Sequence, residues 1–300
     1  MKTIRPPTYK RQQFLLLMLQ QVGGKLSRTD FQKLLFLLSR EQAEPPFDFV
    51  PYKYGCFSYQ AMADLDTLQH QGWITLTDKT VSIAPDVKVR TALSATEITS
   101  LVKSLRTHKE LRGRKLIRYV YERFPYFAIN SEIADDVLDE LGIAAVEAQR
   151  AALQQVLPAL FTIGYEGLKF ETYLNRLIKN NIRLLCDVRQ NPLSRKHGFS
   201  KSMLETVLPK FKISYAHIPE LGIASAKRKG LEGEVDFAAL FSEYRKELPS
   251  RSKGLAELDR LIKQYDRVAL TCFEAHHKDC HRHCVSDFLA TRDKCKVVHL

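Results

Sequence analysis

Apolar positions recur at helical spacing through the first half of the chain and in short unbroken runs through the second. In "SRTDFQKLLFLLSRE", Phe31, Leu34, Leu35 and Leu38 fall on one helical face, with Thr29 and Gln32 at capping-box spacing. Before it, "RQQFLLLMLQQVGGKL" predicts a helix stopped at Gly23-Gly24. "SYQAMADLDTLQHQGW" predicts another, with Ser58 as N-cap, an apolar face of Met62, Leu65 and Leu68, and Gly72 as its stop. "WITLTDKTVSIAP" then alternates apolar and polar residues around Asp78-Lys79, the signature of a β-hairpin. Helices followed by a hairpin follow the order of a winged helix-turn-helix, expected over residues 1–90. Lys79 would stand at the tip of the wing, where a phosphate contact fits.

Residues 91–157 read as a basic helical connector. Ser94 and Glu97 have capping-box spacing, and "IRYVYERFPYF" interleaves Arg118 and Arg123 with five aromatic residues. Cations among aromatics can face nucleic acid, but at this spacing the aromatics are expected to be core and the cations a solvated face. Arg112, Arg114, Lys115 and Arg118 are the candidate phosphate contacts of this stretch.

From residue 158 to 300 the pattern changes to strands alternating with helices. "LFTIGYEG", "IRLLCDVRQNP", "ISYAHIPELG", "RVALTCFEA" and "CKVVHL" are the strands, separated by amphipathic segments such as "LKFETYLNRLIKNN" and "LAELDRLIKQY". That alternation predicts an α/β domain with a Rossmann-like, mostly parallel sheet and helices on its faces.

Composition adds a partner class. Forty-six Lys and Arg against 34 Asp and Glu leave a net charge of +12, which favours a polyanion. The excess is local: residues 103–123 hold eight basic and two acidic side chains, and residues 132–147 hold six acidic and none basic. No apolar run reaches the ~18–20 residues of a membrane span. Six cysteines scattered over 300 residues do not form a secreted disulfide framework, so a cytoplasmic setting is expected.

In open α/β sheets ligands bind beyond the carboxyl ends of the strands. Those positions hold Tyr165 after the first strand, Asp187, Arg189, Ser194 and Arg195 after the second, and Glu220 after the third. The fourth strand runs into "TCFEAHHKDCHRHC", which supplies Cys272 and Glu274 and brings Cys280, His281 and Arg282 to the next helix start. Asp187 and Glu274 are the candidate acid–base groups, and Cys272 and Cys280 the candidate nucleophiles. Tyr165, Arg189, Ser194, Arg195, Glu220, His281 and Arg282 are the candidate substrate contacts. Cys272 and Cys280 lie eight apart, outside the paired spacings of zinc sites, so no metal and no cofactor is expected.

Four of these segments, "TIGYEG", "DVRQNPLSRKHGFSKSML", "ISYAHIPELG" and "CFEAHHKDCHRHCVSDFL", resemble the DUF488 family in order and spacing. The resemblance implies a cytoplasmic α/β domain and puts Cys272, Glu274, Cys280, His281 and Arg282 inside the family pattern. His276, His277, His283 and Cys284 stand outside it. From Phe31 to Ile74, "FQKLLFLLSREQ" to "YGCFSYQAMADLDTLQHQGWI" resembles the Panacea and SocA-like group of antitoxin-related proteins, with Cys56 where that group carries proline. That likeness implies a winged-helix scaffold rather than an activity.

Together these readings predict a nucleic-acid- or nucleotide-processing enzyme, a hydrolase of a glycosidic or phosphoester bond, in defence or nucleic-acid quality control. The alternatives are a DNA-binding regulator whose α/β domain senses a small phosphorylated ligand without catalysis, and a protein-interaction module. Nucleic acid is the expected partner, self-association is compatible with the sequence, and a membrane is not expected.

Overall fold

The computed structural model describes residues 7–85, 87–89, 91–154, 157–228 and 233–300. The chain divides into two compact units, Met1–Ala152 and Leu153–Leu300. Among the described residues, no helix is long and apolar enough to cross a membrane.

The first unit runs α1 (Lys10–Gln21), β1 (Lys25–Ser27), α2 (Arg28–Arg40), β2 (Val50–Tyr52), β3 (Gly55–Phe57), α3 (Tyr59–His70), β4 (Ile74–Leu76), β5 (Thr80–Ile83), α4 (Ala95–Thr107), α5 (Gly113–Arg123), α6 (Ala134–Val137) and α7 (Glu140–Leu153). The expected hairpin is β4–β5, and β1 joins it antiparallel to give the order β1-β5-β4. That added strand moves one cap. Chain pairing with β5 continues through Ser27, so α2 starts at Arg28 and Ser27, not Thr29, accepts from Asp30 N at 3.0 Å. Ser58 caps α3 and Ser94 with Glu97 forms a reciprocal capping box on α4, both as the spacing predicts. Leu101 and Leu105 of α4 and Leu116 and Val120 of α5 close the same core as Leu34, Leu35 and Leu38 of α2. The aromatics of α5 and the turn after it join that core. Phe124 and Phe127 pack edge-on against Phe36, at 5.1 and 4.6 Å between ring centres.

The second unit runs β6 (Ala159–Gly164), α8 (Phe170–Lys179), β7 (Leu184–Asp187), α9 (Lys201–Val207), β8 (Ser214–His217), α10 (Ser225–Arg228), α11 (Gly233–Glu247), α12 (Ser252–Tyr265), β9 (Arg267–Cys272), α13 (Arg282–Asp293) and β10 (Val297–His299). Its five strands are all parallel, in the order β10-β6-β9-β7-β8. The central strands are buried on both faces, which is why they read as unbroken apolar runs. Alternate residues serve alternate faces. Leu160, Leu184, Cys186, Val268 and Leu270 meet α11, α12 and α13 in one core, while Thr271 turns the other way and accepts from Tyr173 of α8 at 2.8 Å.

Strand order fixes where a ligand can enter. The chain leaves β6 toward β7, passing β9, and leaves β9 toward β10, passing β6. Adjacent strands whose connections depart in opposite directions form a topological switch point, and right-handed crossovers put α8 and α13 on opposite faces there. The register brings Gly164 opposite Cys272, Asp187 opposite Thr271, and His217 opposite Asp187, so four strands end at one level.

Candidate functional site

The loop after β9 is fixed against the end of β6. A Cβ on Gly164 would lie 1.8 Å from the Glu274 carbonyl oxygen, so only glycine lets the two backbones approach this closely. Phe273 O accepts from Tyr165 N at 3.0 Å and Glu166 N at 2.8 Å, and the Glu166 carboxylate accepts from Ala275 N at 2.9 Å. From the other side, Arg282 donates to the carbonyls of Glu274 and Ala275 at 2.6 and 2.9 Å. Arg282 is almost wholly buried and shapes the loop from behind.

At the end of β7 the polar groups answer one another. Asp187, with no exposed surface, accepts from Arg189 Nε at 2.8 Å, from Arg189 Nη2 at 2.5 Å and from the Tyr215 hydroxyl at 2.8 Å. Arg189 also donates to the Tyr165 hydroxyl at 2.9 Å and to Phe199 O at 3.0 Å. Burial alone would discourage its charge; the Asp187 carboxylate more than reverses that and holds the guanidinium protonated. Burial, reinforced by Asp187, pushes the Tyr215 hydroxyl far above the usual tyrosine range. Tyr165 stacks on Phe199, 4.4 Å between centres and 10° from parallel, and also lines the cleft above.

Above this floor lies an open cleft of about 450 Å³. Its lining combines Gln190, Asn191, Ser194, Arg195 and Lys196 from the loop after β7 with Cys272, Phe273 and Glu274 from the loop after β9. Arg195 is exposed, Ser194 Oγ accepts from Lys196 N at 3.2 Å, and the Lys196 ammonium donates to Tyr165 O at 2.9 Å. Burial lowers the Lys196 pKa, and Glu166 opposes the shift. Glu274 is the carboxylate among the lining residues. Leu193 and Phe273 also line the cleft, 78% and 44% exposed, and offer apolar surface to a ring. Glu220 is not among the lining residues; it lies 3.9 Å from Lys253. His281 and Arg282 also sit behind the wall rather than on it.

Behind that wall three ligand-type atoms meet. The Sγ atoms of Cys272 and Cys280 each lie 3.8 Å from His281 Nδ1, and all three atoms fall within 4.8 Å of one another. His281 Nε2 faces Val188 O at 2.9 Å and donates its hydrogen there, which leaves Nδ1 turned toward both sulfurs. Burial, with Cys272 next, pushes the Cys280 thiol well above its ordinary pKa. Cys284 approaches His283, 3.5 Å from its Nε2.

In the first unit, the start of α2 gathers the basic residues. Lys79 is exposed in the β4–β5 turn, and its carbonyl accepts from Arg28 N at 2.9 Å. Asp30 Oδ1 accepts from Gly113 N at 2.8 Å, which places exposed Arg114 and Lys115 beside the same helix end. Arg112 and Arg118 differ from these. Arg112 donates to the carbonyls of His108 and Leu111 at the end of α4, and Arg118 donates to Val137 O at 2.8 Å.

Sequence reading missed Tyr215 and Phe199, which complete the floor, and Gln190, Asn191 and Lys196 on the cleft wall. Lys196 follows Arg195 directly and shares its signal; Tyr215 and Phe199 fall inside segments that resemble the DUF488 family, but Tyr215 lies 28 residues from Asp187 and nothing local pairs them. No curated protein matches the chain significantly. A family model described as "Domain of unknown function DUF488" matches residues 169–289. The segments holding Asp187, Arg195, Glu220 and Cys272–Arg282 lie inside that match, and "TIGYEG" precedes it. The C-terminal unit of this chain therefore carries a DUF488 domain.

Proposed function

We propose that the DUF488 domain binds a small phosphorylated, nucleotide-like ligand in the switch-point cleft and hydrolyses it, with Glu274 as the acid–base group. The observation that carries this reading is the lining itself: Arg195, Lys196, Ser194 and two side-chain amides face Glu274 across one opening, with Leu193 and Phe273 at hand for a ring. Cations and amides recognise phosphate oxygens, and a single carboxylate can accept a proton from water beside them. Arg195 is the anion contact. Asp187 positions Arg189 and takes no part in proton transfer, because its oxygens already accept from Arg189 and Tyr215. Cys280 is not the nucleophile of this reading, because its raised thiol pKa opposes thiolate formation.

The first unit serves as a winged-helix region that contacts nucleic acid through Arg28, Lys79, Arg114 and Lys115. Support comes from the helix–sheet order around α2 and from two backbone links that draw those residues to one helix end. A second reading has a specific observation in its favour. With Asp187 closed off, the cleft offers Glu274 alone, which suits a sensor that binds a phosphorylated ligand without turnover.

One experiment separates them. The full chain is incubated with mono- and dinucleotides and with short single- and double-stranded oligonucleotides, at two salt concentrations. Turnover that falls by about 10²–10⁴ in E274Q, with ligand affinity kept, supports the enzyme. Ligand binding without turnover that shifts DNA affinity supports the sensor. Binding to duplex should weaken with salt at a slope of about −0.9 per phosphate contact, and K79A should reduce that slope by about one contact. A chain that neither binds nor cleaves any of these ligands overturns both readings.

A further inference from the structure

We infer that Cys272, Cys280 and His281 form a zinc(II) site behind the wall of the cleft. Three observations converge on it. Both sulfurs stand 3.8 Å from one lone-pair nitrogen. Tetrahedral zinc, with Zn–S about 2.3 Å and Zn–N about 2.05 Å, requires an S···N separation of about 3.6 Å. The two S···N separations are thus within a small relaxation of the coordination geometry before any ion is placed, and all three atoms lie within 4.8 Å of one another.

The second observation is the orientation of the imidazole. A zinc-binding histidine commonly donates its other ring nitrogen to a carbonyl or carboxylate, which fixes the tautomer and raises ligand basicity. His281 Nε2 donates to Val188 O at 2.9 Å in that manner. The third is the placement of charge. His281 caps α13 and Cys280 precedes it, so both lie where the helix dipole favours anionic sulfur, and Arg282 is buried on the first turn.

Ligand chemistry selects the ion. Two thiolates and an imidazole suit zinc and disfavour the hard cations magnesium and calcium. Binding balances as two thiols plus Zn²⁺ giving a neutral bis-thiolate centre and two released protons, with His281 contributing its lone pair unchanged. These three protein ligands leave a fourth position to water or to the bound ligand, as catalytic zinc sites do. Cys272 is also a lining residue of the cleft, so the metal and the proposed anion site share one side chain. Cys272 and Cys280 lie eight apart in sequence, yet the chain between them returns so that both sulfurs reach His281 Nδ1.

The inference does not depend on hydrolysis, and its test reads metal rather than turnover. Untagged full chain is purified without chelator, dialysed, and assayed by elemental analysis and X-ray absorption at the zinc edge. The expected result is about one zinc per chain with two sulfurs near 2.3 Å and nitrogen near 2.0 Å. Replacement by cobalt(II) should give thiolate-to-metal charge-transfer absorption. C280S and H281A should each lose metal affinity by more than about tenfold, whereas C284S keeps the wild-type stoichiometry. The wild-type spectrum decides the matter even where a variant fails to fold. Metal-free protein that refuses added zinc with both thiols reactive overturns the site, and so does a chain whose mass is two hydrogens lower from a Cys272–Cys280 disulfide.

Discussion

The ends of β7 and β9 lie side by side, one residue pair apart in register, and they are built on opposite plans. Beyond β7 a full charge pair is buried, and each oxygen of Asp187 has a donor from Arg189 or Tyr215. Beyond β9 two thiols face one imidazole nitrogen with the buried Arg282 behind the loop, and Glu274 lines the cleft. Both places satisfy the rule that ligands bind past strand ends. What distinguishes them is how many partners the neighbouring elements supply.

The largest effect expected from breaking this contrast is at the floor. D187A leaves Arg189 buried without its counter-charge, which costs about 3–5 kcal/mol of stability. Urea denaturation of the full chain should show that loss in the transition of the second unit, with Y215F costing nearer 1 kcal/mol for one hydrogen bond. A D187A chain as stable as wild type but inactive would invert the comparison and make Asp187 a reacting group.

The contrast also marks where sequence stopped informing. Apolar runs located all five strands of the sheet, most clearly the central three, because strands buried on both faces leave little freedom in composition. Ser58 and Ser94 were legible as caps because capping is a contact across three residues. Ser27 was hidden, since the cap position depends on β1 pairing with a strand more than 50 residues away. The same reason governs the site. Asp187 reads as an available carboxylate until β8 brings Tyr215 alongside, and Glu220 reads as a cleft residue until its 3₁₀ turn carries it toward Lys253. Arg195 and Glu274, by contrast, both line the cleft.

A middle-sized effect tests the hinge between the two plans. G164A adds a Cβ that would stand 1.8 Å from the Glu274 carbonyl, with Ala275 Cα next at 3.2 Å. Both neighbours are backbone, so the loop itself must move. Overpacking of this kind costs about 1–3 kcal/mol. If Glu274 acts as proposed, turnover should fall further than stability does, because the displaced group is the acid–base residue. Equal losses in ligand affinity and turnover would instead mean that the loop only shapes the pocket.

The smallest effect expected is a difference in response to acid. His277, in the loop after β9, stacks on His299 of β10 at 3.7 Å and 5° from parallel. Burial holds His277 below the usual histidine pKa, and His299 adds to the shift. Burial also lowers His299, with Asp287 opposing and Arg282 assisting. A folded pKa below the unfolded value of about 6.5 fixes the sign. Above that pH neither state binds the proton and the pair contributes its full stability. As pH falls below about 6.5 the unfolded chain takes up protons that the folded chain resists, so stability declines toward each folded pKa. The Arg189 guanidinium stays charged throughout this range, so its charge gives the floor beyond β7 no matching response. Denaturation midpoints measured from pH 7.5 down to 5 should therefore slope downward in wild type and flatten in H277Q and H299Q. The drop should be modest, because both rings retain solvent contact and surface charge is screened. An unchanged slope in both variants would assign the acid response to other groups and leave the two strand ends alike in this respect.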